Sequence, residues 1–233
     1  GEFIHTLSST DLATGWWEGE ALMGRGQERA QQALAQTRLR YPFPWHEVHS
    51  DNGTEFINWH LYWYCGEEHL AFSRSRPYKK NDNCLVEQKN WTHVRKCIGY
   101  LRHDTEEELN ILNNLYRNEL RLFKNFFQPV MKLVSKERAG GRIHRKYDTP
   151  ATPYARVMAS PEISHDVKTR LQFLYESLNP AALKRAIDEK LNLLYRTYRA
   201  KNSLSLKVEP LKKLTPSTVS FLMTQPAPVS VSS

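Results

Sequence analysis

Trp45-His46-Glu47-Val48-His49-Ser50-Asp51-Asn52-Gly53 is the stretch on which the reading of this chain turns. The segment from Trp45 to Ser50, apolar at Trp45 and Val48 among polar residues, reads as a short half-buried strand. Asp51-Asn52-Gly53 is turn chemistry, so the strand ends by delivering a carboxylate. A second carboxylate, Glu87, stands 36 positions further on. It closes the run Arg76-Pro77-Tyr78-Lys79-Lys80-Asn81-Asp82-Asn83-Cys84-Leu85-Val86, early in a predicted helix. A carboxylate at a strand end is held rigidly, and one on a helix can adjust. Brought together, two such groups are hard oxygen ligands for Mg²⁺ or Mn²⁺ in a phosphoryl-transfer site. Taken singly, Asp51 reads as a turn residue and Glu87 as a solvated helix position.

The sequence on either side supplies strands and helices in a definite order. Residues 2–9 and 15–22 read as strands joined by the turn Thr10–Gly15, with Thr, Phe, Ile and Trp as β-type side chains. Residues 27–40, rich in Ala, Gln, Leu and Arg, read as a helix that Pro42 and Pro44 end. After the Trp45–Ser50 strand come a helix over 54–66 with an aromatic face of Phe56, Trp59 and Trp63, a short strand over 69–73, a loop over 74–81 and a long helix from about Asp82 to Leu101. The character changes at Thr105, where an N-cap precedes the acids Glu106, Glu107 and Glu108. Leu109, Leu112, Leu115 and Tyr116 carry that helix toward Phe127. Residues 135–153 read as a basic loop around Gly140-Gly141. Prolines 161 and 180 open further helices, and 180–200 is amphipathic through Leu183, Ile187, Leu191 and Leu194. Beyond Lys201 the Ser, Thr, Pro and Val composition reads as a disordered tail. The expected organisation is an α/β core over 1–104, a helical basic region over 105–201 and a tail over 202–233.

The spacing and surroundings of Asp51 and Glu87 resemble those of the second and third acids of the DDE integrase and transposase family, bacterial insertion-sequence type. Thr14-Gly15-Trp16-Trp17-Glu18 is similar to the step that opens the third strand of integrase cores. Ser75–Tyr78 with Val86–Asn90 resembles the segment around the family's glutamate, and Asn125–Pro129 with Thr149-Pro150 resembles the segment after the core. The resemblance spans about residues 1–160. It implies an RNase H-like mixed sheet flanked by helices, entered one strand late, so that the central first strand and its aspartate would lie upstream of Gly1 and the chain would be a truncated fragment. It also implies Asp51 and Glu87 as catalytic metal ligands, Mg²⁺ or Mn²⁺ as cofactor, and a homo-oligomer on element ends and target DNA in the bacterial cytoplasm. Three departures stand out. Asp11 lies in a turn where the family has no catalytic acid. Cys84 replaces a small residue, commonly Gly, three before the glutamate. Val94 stands where Lys or Arg is common seven after it; on a regular helix Trp91 and Val94 share the face of Glu87, with Arg95 near enough to reach a phosphate.

A formal charge of +8 and a pI near 9.4 suit a polyanionic partner. Lys79 and Lys80 precede the helix of Glu87. Lys132, Lys136, Arg138, Arg142, Arg145 and Lys146 face only Glu137, and such a loop can follow phosphates without reading bases. Trp16, Trp17, Trp59 and Trp63 read as core, and His49 as strand filler. The three cysteines, Cys65, Cys84 and Cys97, lack the short spacing of a zinc module or disulfide scaffold. No run is long and apolar enough for a membrane span, and no signal peptide is visible. The competing readings are a decayed, non-catalytic remnant that still binds DNA and, more weakly, an RNase H-type nuclease. The fragment alone, short of one metal ligand, is expected to be inactive.

Overall fold

The first two strands form as their β-type residues predict. In the computed structural model, which describes residues 2–50, 59–76 and 88–205 (backbone alone at 59, 60, 139, 204 and 205), β1 (Ile4–Thr10) pairs antiparallel with β2 (Trp17–Met23). The register runs from Ile4↔Met23 to Thr10↔Trp17. Asp11 Oδ2 accepts from both the amide and the hydroxyl of Thr14 at 2.6 Å, and Gly15 takes φ +78°, which closes the turn. Asp11 is therefore committed to its own turn.

The two edges of this sheet differ. In an antiparallel pair, alternate residues turn their amide and carbonyl groups outward. Phe3↔Gly24 and Asp11↔Trp16 are bonded pairs, so Trp17, Gly19, Ala21 and Met23 face out from β2, and Ile4, Thr6, Ser8 and Thr10 face out from β1. Side chains close the β2 edge. Asn125 accepts from the Trp17 amide and donates to its carbonyl, both at 2.8 Å. Asn113 does the same for Ala21 at 2.7 and 3.0 Å, Arg40 donates to the Gly19 carbonyl at 2.8 Å, and Arg29 to that of Met23 at 2.6 Å. On β1 the Ile4 amide donates to the His103 carbonyl at 2.7 Å. Among the described residues, Thr6, Ser8 and Thr10 have no backbone partner on that side.

α1 (Gln27–Arg40) covers this sheet and also the next pair of strands. β3 (Glu47–Ser50) and β4 (Ala71–Arg74) are parallel, with Val48 opposite Phe72, and α2 (Trp59–Glu67) crosses between them. Leu7 of β1, Ala33 and Leu34 of α1, Val48 of β3, and Leu61, Tyr64 and Cys65 of α2 form one apolar cluster. Strands of mixed direction under a helix layer are thus present, as two separate two-stranded pieces. Trp16 and Trp17 are buried as expected, but Trp63 is 62% exposed, because Leu61, Tyr64 and Cys65 fill the inward face of α2.

Residues 88–98 form α3, π-wound over Asn90–Arg95 and stopped at Gly99 (φ +86°). α4 (residues 106–127) begins with a capping box. The Thr105 hydroxyl accepts from the Glu108 amide, and the Glu108 carboxylate accepts from the Thr105 amide. Glu108 is buried and also bonds His103 Nδ1 at 2.7 Å. Leu112, Leu115, Tyr116 and Leu120 of α4 pack on Trp17 and Ala21, with Ile187 and Leu194 completing the cluster. Two further acids lie under α4. Glu18 accepts from Trp16 Nε1, Arg40 and Arg121, and Glu20 pairs with Arg40 and Arg117.

The basic segment read as a loop over 135–153 is instead largely a hairpin. β5 (Leu133–Ala139) and β6 (Arg142–Tyr147) pair antiparallel around Gly140-Gly141, of which only Gly140 takes a positive φ, +61°. That is the type II′ turn that suits the twist of a hairpin. α5 (Pro153–Ala159), α6 (His165–Ser177, capped by Ser164) and α7 (Pro180–Ser205) follow. Residues Gly1–Tyr198 make one compact unit, and Arg199–Ser233 fall to a second. No described helix is long and apolar enough to cross a membrane.

Candidate functional site

Asp51, Glu87, Lys79 and Lys80 lie outside the described residues, as do Cys84 and the tail beyond Ser205. What can be described is the framework on either side of them. β3 ends at Ser50, at the carboxyl end of a parallel strand pair, where open α/β sheets carry their ligands. That end is knit together. The Ser75 amide donates to the Ser50 carbonyl at 3.0 Å, and the His49 ring bonds the Ser73 hydroxyl at 2.9 Å and the Ser75 hydroxyl at 3.1 Å. His49 thus ties β3 to the chain that follows β4. Among the described residues, no three His, Cys, Asp or Glu side chains converge on a single point.

α3 begins, among the described residues, at Gln88, and its two sides carry different chemistry. Trp91 and Arg95 are exposed, and the Arg95 guanidinium lies 4.9 Å from the centre of the Tyr100 ring, with Trp91 6.3 Å from the same ring. Trp91 and Val94, placed on one face by regular helix spacing, are separated here, because Val94 is buried in the core below. The π winding over Asn90–Arg95 is the cause, since it shifts the angular step on which that spacing relies. Arg95, Tyr100, Val94 and Ile98 form one wall of a cleft of about 350 Å³ whose other wall is β1 from Ile4 to Ser8.

The inward side of α3 holds two groups that sequence reasoning passed over. Lys89 is 7% exposed and its ammonium has no hydrogen-bond partner among the described residues. It lies beside the β1–β2 turn, where its Nζ is 3.9 Å from the position a Cβ on Gly15 would take. Burial, reinforced by Lys124, Lys132 and Arg156, lowers its pKa to about 8. One turn on, His93 packs against the Trp17 indole at 5.2 Å, and burial with Lys89 and Lys124 nearby brings its pKa down to about 2. It is a neutral ring in the core, hydrogen-bonded to the Thr92 hydroxyl at 2.8 Å. Nothing in the local sequence marks either residue as buried.

The remaining sequence candidates, Lys136, Arg138, Arg142, Arg145 and Lys146, all stand exposed on the β5–β6 hairpin. Its base is fixed. The Lys132 amide donates to Asp148 at 2.6 Å and Arg156 donates to Asp148 at 2.6 Å and to the Val130 carbonyl at 3.0 Å. Lys132 Nζ donates to the Leu12 carbonyl at 2.7 Å, on the β1–β2 turn. The hairpin cations and Arg95 thus belong to different elements, α3 and β5–β6.

No known protein-family profile matches the chain. Over 156 residues it is 40% identical to an uncharacterized protein, y4rM, of Sinorhizobium fredii. The aligned segment covers 67% of this chain and 44% of that protein, so the chain spans less than half the length of the curated relative it matches.

Proposed function

We propose that this chain is the larger part of an RNase H-like domain that joins DNA 3′ ends to target DNA by metal-dependent phosphoryl transfer. The observation that carries the reading is the divided sheet. An antiparallel pair and a parallel pair share the cover of α1; side chains close the outer side of β2, whereas beyond Ile4 the outer side of β1 has no backbone partner among the described residues. A mixed sheet with one central strand position unfilled has this form, and it is the form expected when the strand bearing the first aspartate is absent from the chain.

In this reading Asp51, next in sequence after β3, and Glu87, just before α3 in sequence, would hold Mg²⁺ or Mn²⁺ together with an aspartate on that further strand. Their oxygen donors fit such an ion. When bound, it polarises phosphate oxygens and lowers the pKa of the attacking water or hydroxyl. The chain's own residues orient the DNA. Arg95, Lys79 and Lys80 neutralise backbone phosphates beside the carboxylates, and the His49–Ser73–Ser75 bonds keep β3 in place as Asp51 is loaded. In the intact protein Glu87→Gln should abolish Mg²⁺-dependent joining of a labelled DNA end and leave DNA binding unchanged; retained joining would refute the assignment. The 233-residue chain alone should not join ends, and robust joining by it would move the third ligand to an acid within this sequence.

A second reading keeps DNA binding without catalysis. The basic hairpin favours it, because that element needs neither carboxylate to engage a polyanion.

A further inference from the structure

We propose that the β5–β6 hairpin is an arm for duplex DNA that docks through one of its two faces, that of Lys136, Arg138 and Arg145. The inference rests on the preceding reading only in taking DNA, rather than another polyanion, as the partner.

The hairpin has no core to serve. Every described residue of β6 is exposed, and none of the three apolar clusters includes a hairpin residue. A two-stranded hairpin without such backing is marginal in water. Its side chains are therefore free to be selected for what they meet outside, while the Asp148–Arg156 pair fixes where it projects.

The register sorts those side chains. Residues directly opposite share a face, and faces alternate along each strand. One face carries Lys136↔Arg145 and Arg138↔Ile143, three cations with no acid. The other carries Ser135↔Lys146, Glu137↔His144 and Ala139↔Arg142, where Glu137 offsets one of two cations. Like charges opposite one another disfavour a strand pair, so the Lys136–Arg145 pair costs the free hairpin stability and gains most from an anion set against it. The sequence could have placed Glu137 on this face and does not. A row of phosphates relieves that repulsion along the whole face. A two-stranded ribbon is also of a size that the major groove of B-form DNA admits. Ile143, opposite Arg138 and nearer the tip than the Lys136–Arg145 pair, supplies an apolar contact for sugar or a thymine methyl.

The test uses the full chain and two charge-matched double variants, Lys136→Ala/Arg145→Ala on one face and Arg142→Ala/Lys146→Ala on the other. Fluorescence anisotropy with a duplex of about two helical turns is followed over a salt series, with far-UV circular dichroism to confirm the fold. Removing the first pair should weaken binding by at least about tenfold and lower the log–log salt slope by about two. Removing the second pair should have less than half that effect. Equal losses from the two pairs would mean diffuse attraction and would overturn the docked face. Absence of duplex binding by the unaltered chain, or tighter binding of an RNA duplex of the same sequence, would overturn the DNA assignment. Face-dependent binding with no metal-dependent joining in the intact protein would remove the catalytic reading and leave the arm; joining that depends on Glu87 but not on either face would do the reverse.

Discussion

Lys89 shows how much a single side chain can weigh against the fold. Its ammonium is buried beside Gly15 with no hydrogen-bond partner among the described residues, in the field of Lys124, Lys132 and Arg156. Its folded pKa, about 8, lies below the ordinary 10.5 of the unfolded chain. The unfolded state therefore binds the proton more tightly, and stability rises with pH between those values. Below pH 8 the full penalty applies, of the order of 3 kcal/mol. Lys89→Met should accordingly raise stability at pH 7 by a few kcal/mol in urea titrations, and the gain should shrink to nothing by pH 10.5. A gain independent of pH would show that the effect is packing rather than charge. His93 acts in the same sense at the acid end. Its depressed pKa means that stability falls as pH drops from 6.5 toward 2. No pattern in the sequence foretells either value, because both arise from long-range neighbours: α4, the turn at Gly15 and the base of the hairpin.

At the scale of elements, β2 is an edge strand finished by side chains. Asn125 is fully buried and stands in for a neighbouring strand at Trp17, offering an acceptor and a donor from one planar amide. Asn125→Ala would leave the amide and carbonyl of Trp17 buried and unpaired, at a cost of about 2–4 kcal/mol. Asn113→Ala, at the less buried Ala21, should cost less. Chemical denaturation of the two variants checks the order; equal losses would show that burial does not set the cost. The sequence marked β1 and β2 by their β-type side chains, α1 by its helix-favouring composition, the start of α4 by its cap at Thr105 and α7 by its apolar period. The β5–β6 hairpin was hidden because its alternation is of charged with charged, as at Lys136, Glu137 and Arg138. Gly140-Gly141 was the available signal for a two-residue turn. Regular helix arithmetic also failed on α3, where π winding separates Trp91 from Val94. The roles of Asn113 and Asn125 were not legible at all, since an asparagine on a helix gives no sign that it will serve a strand some 90 to 110 residues away.

For the molecule as a whole, the contrast between the two edges of the β1–β2 sheet makes a prediction of its own. The amides of His5, Leu7 and Ser9 are turned into the β2 ladder, and those of Thr6 and Ser8 into the cleft beside α3. Hydrogen exchange in the 233-residue chain should therefore alternate along β1, fast at Thr6 and Ser8 and slow at Leu7 and Ser9. In a longer protein that supplies the further strand, the alternation should disappear. Uniform protection of β1 in the chain alone would show that its edge is already paired, and would remove the main support for the RNase H-like reading.

The sealed side of β2 also governs what happens when copies of this sheet meet. Growth of a ribbon by strand addition needs two sticky borders, one to receive and one to offer. Here Asn125, Asn113, Arg40 and Arg29 occupy one border, so two sheets can join only β1 to β1, across a twofold axis. Such a union satisfies itself at four strands and leaves no template for a third copy, so encounters through this sheet end in a closed pair and not in a fibre.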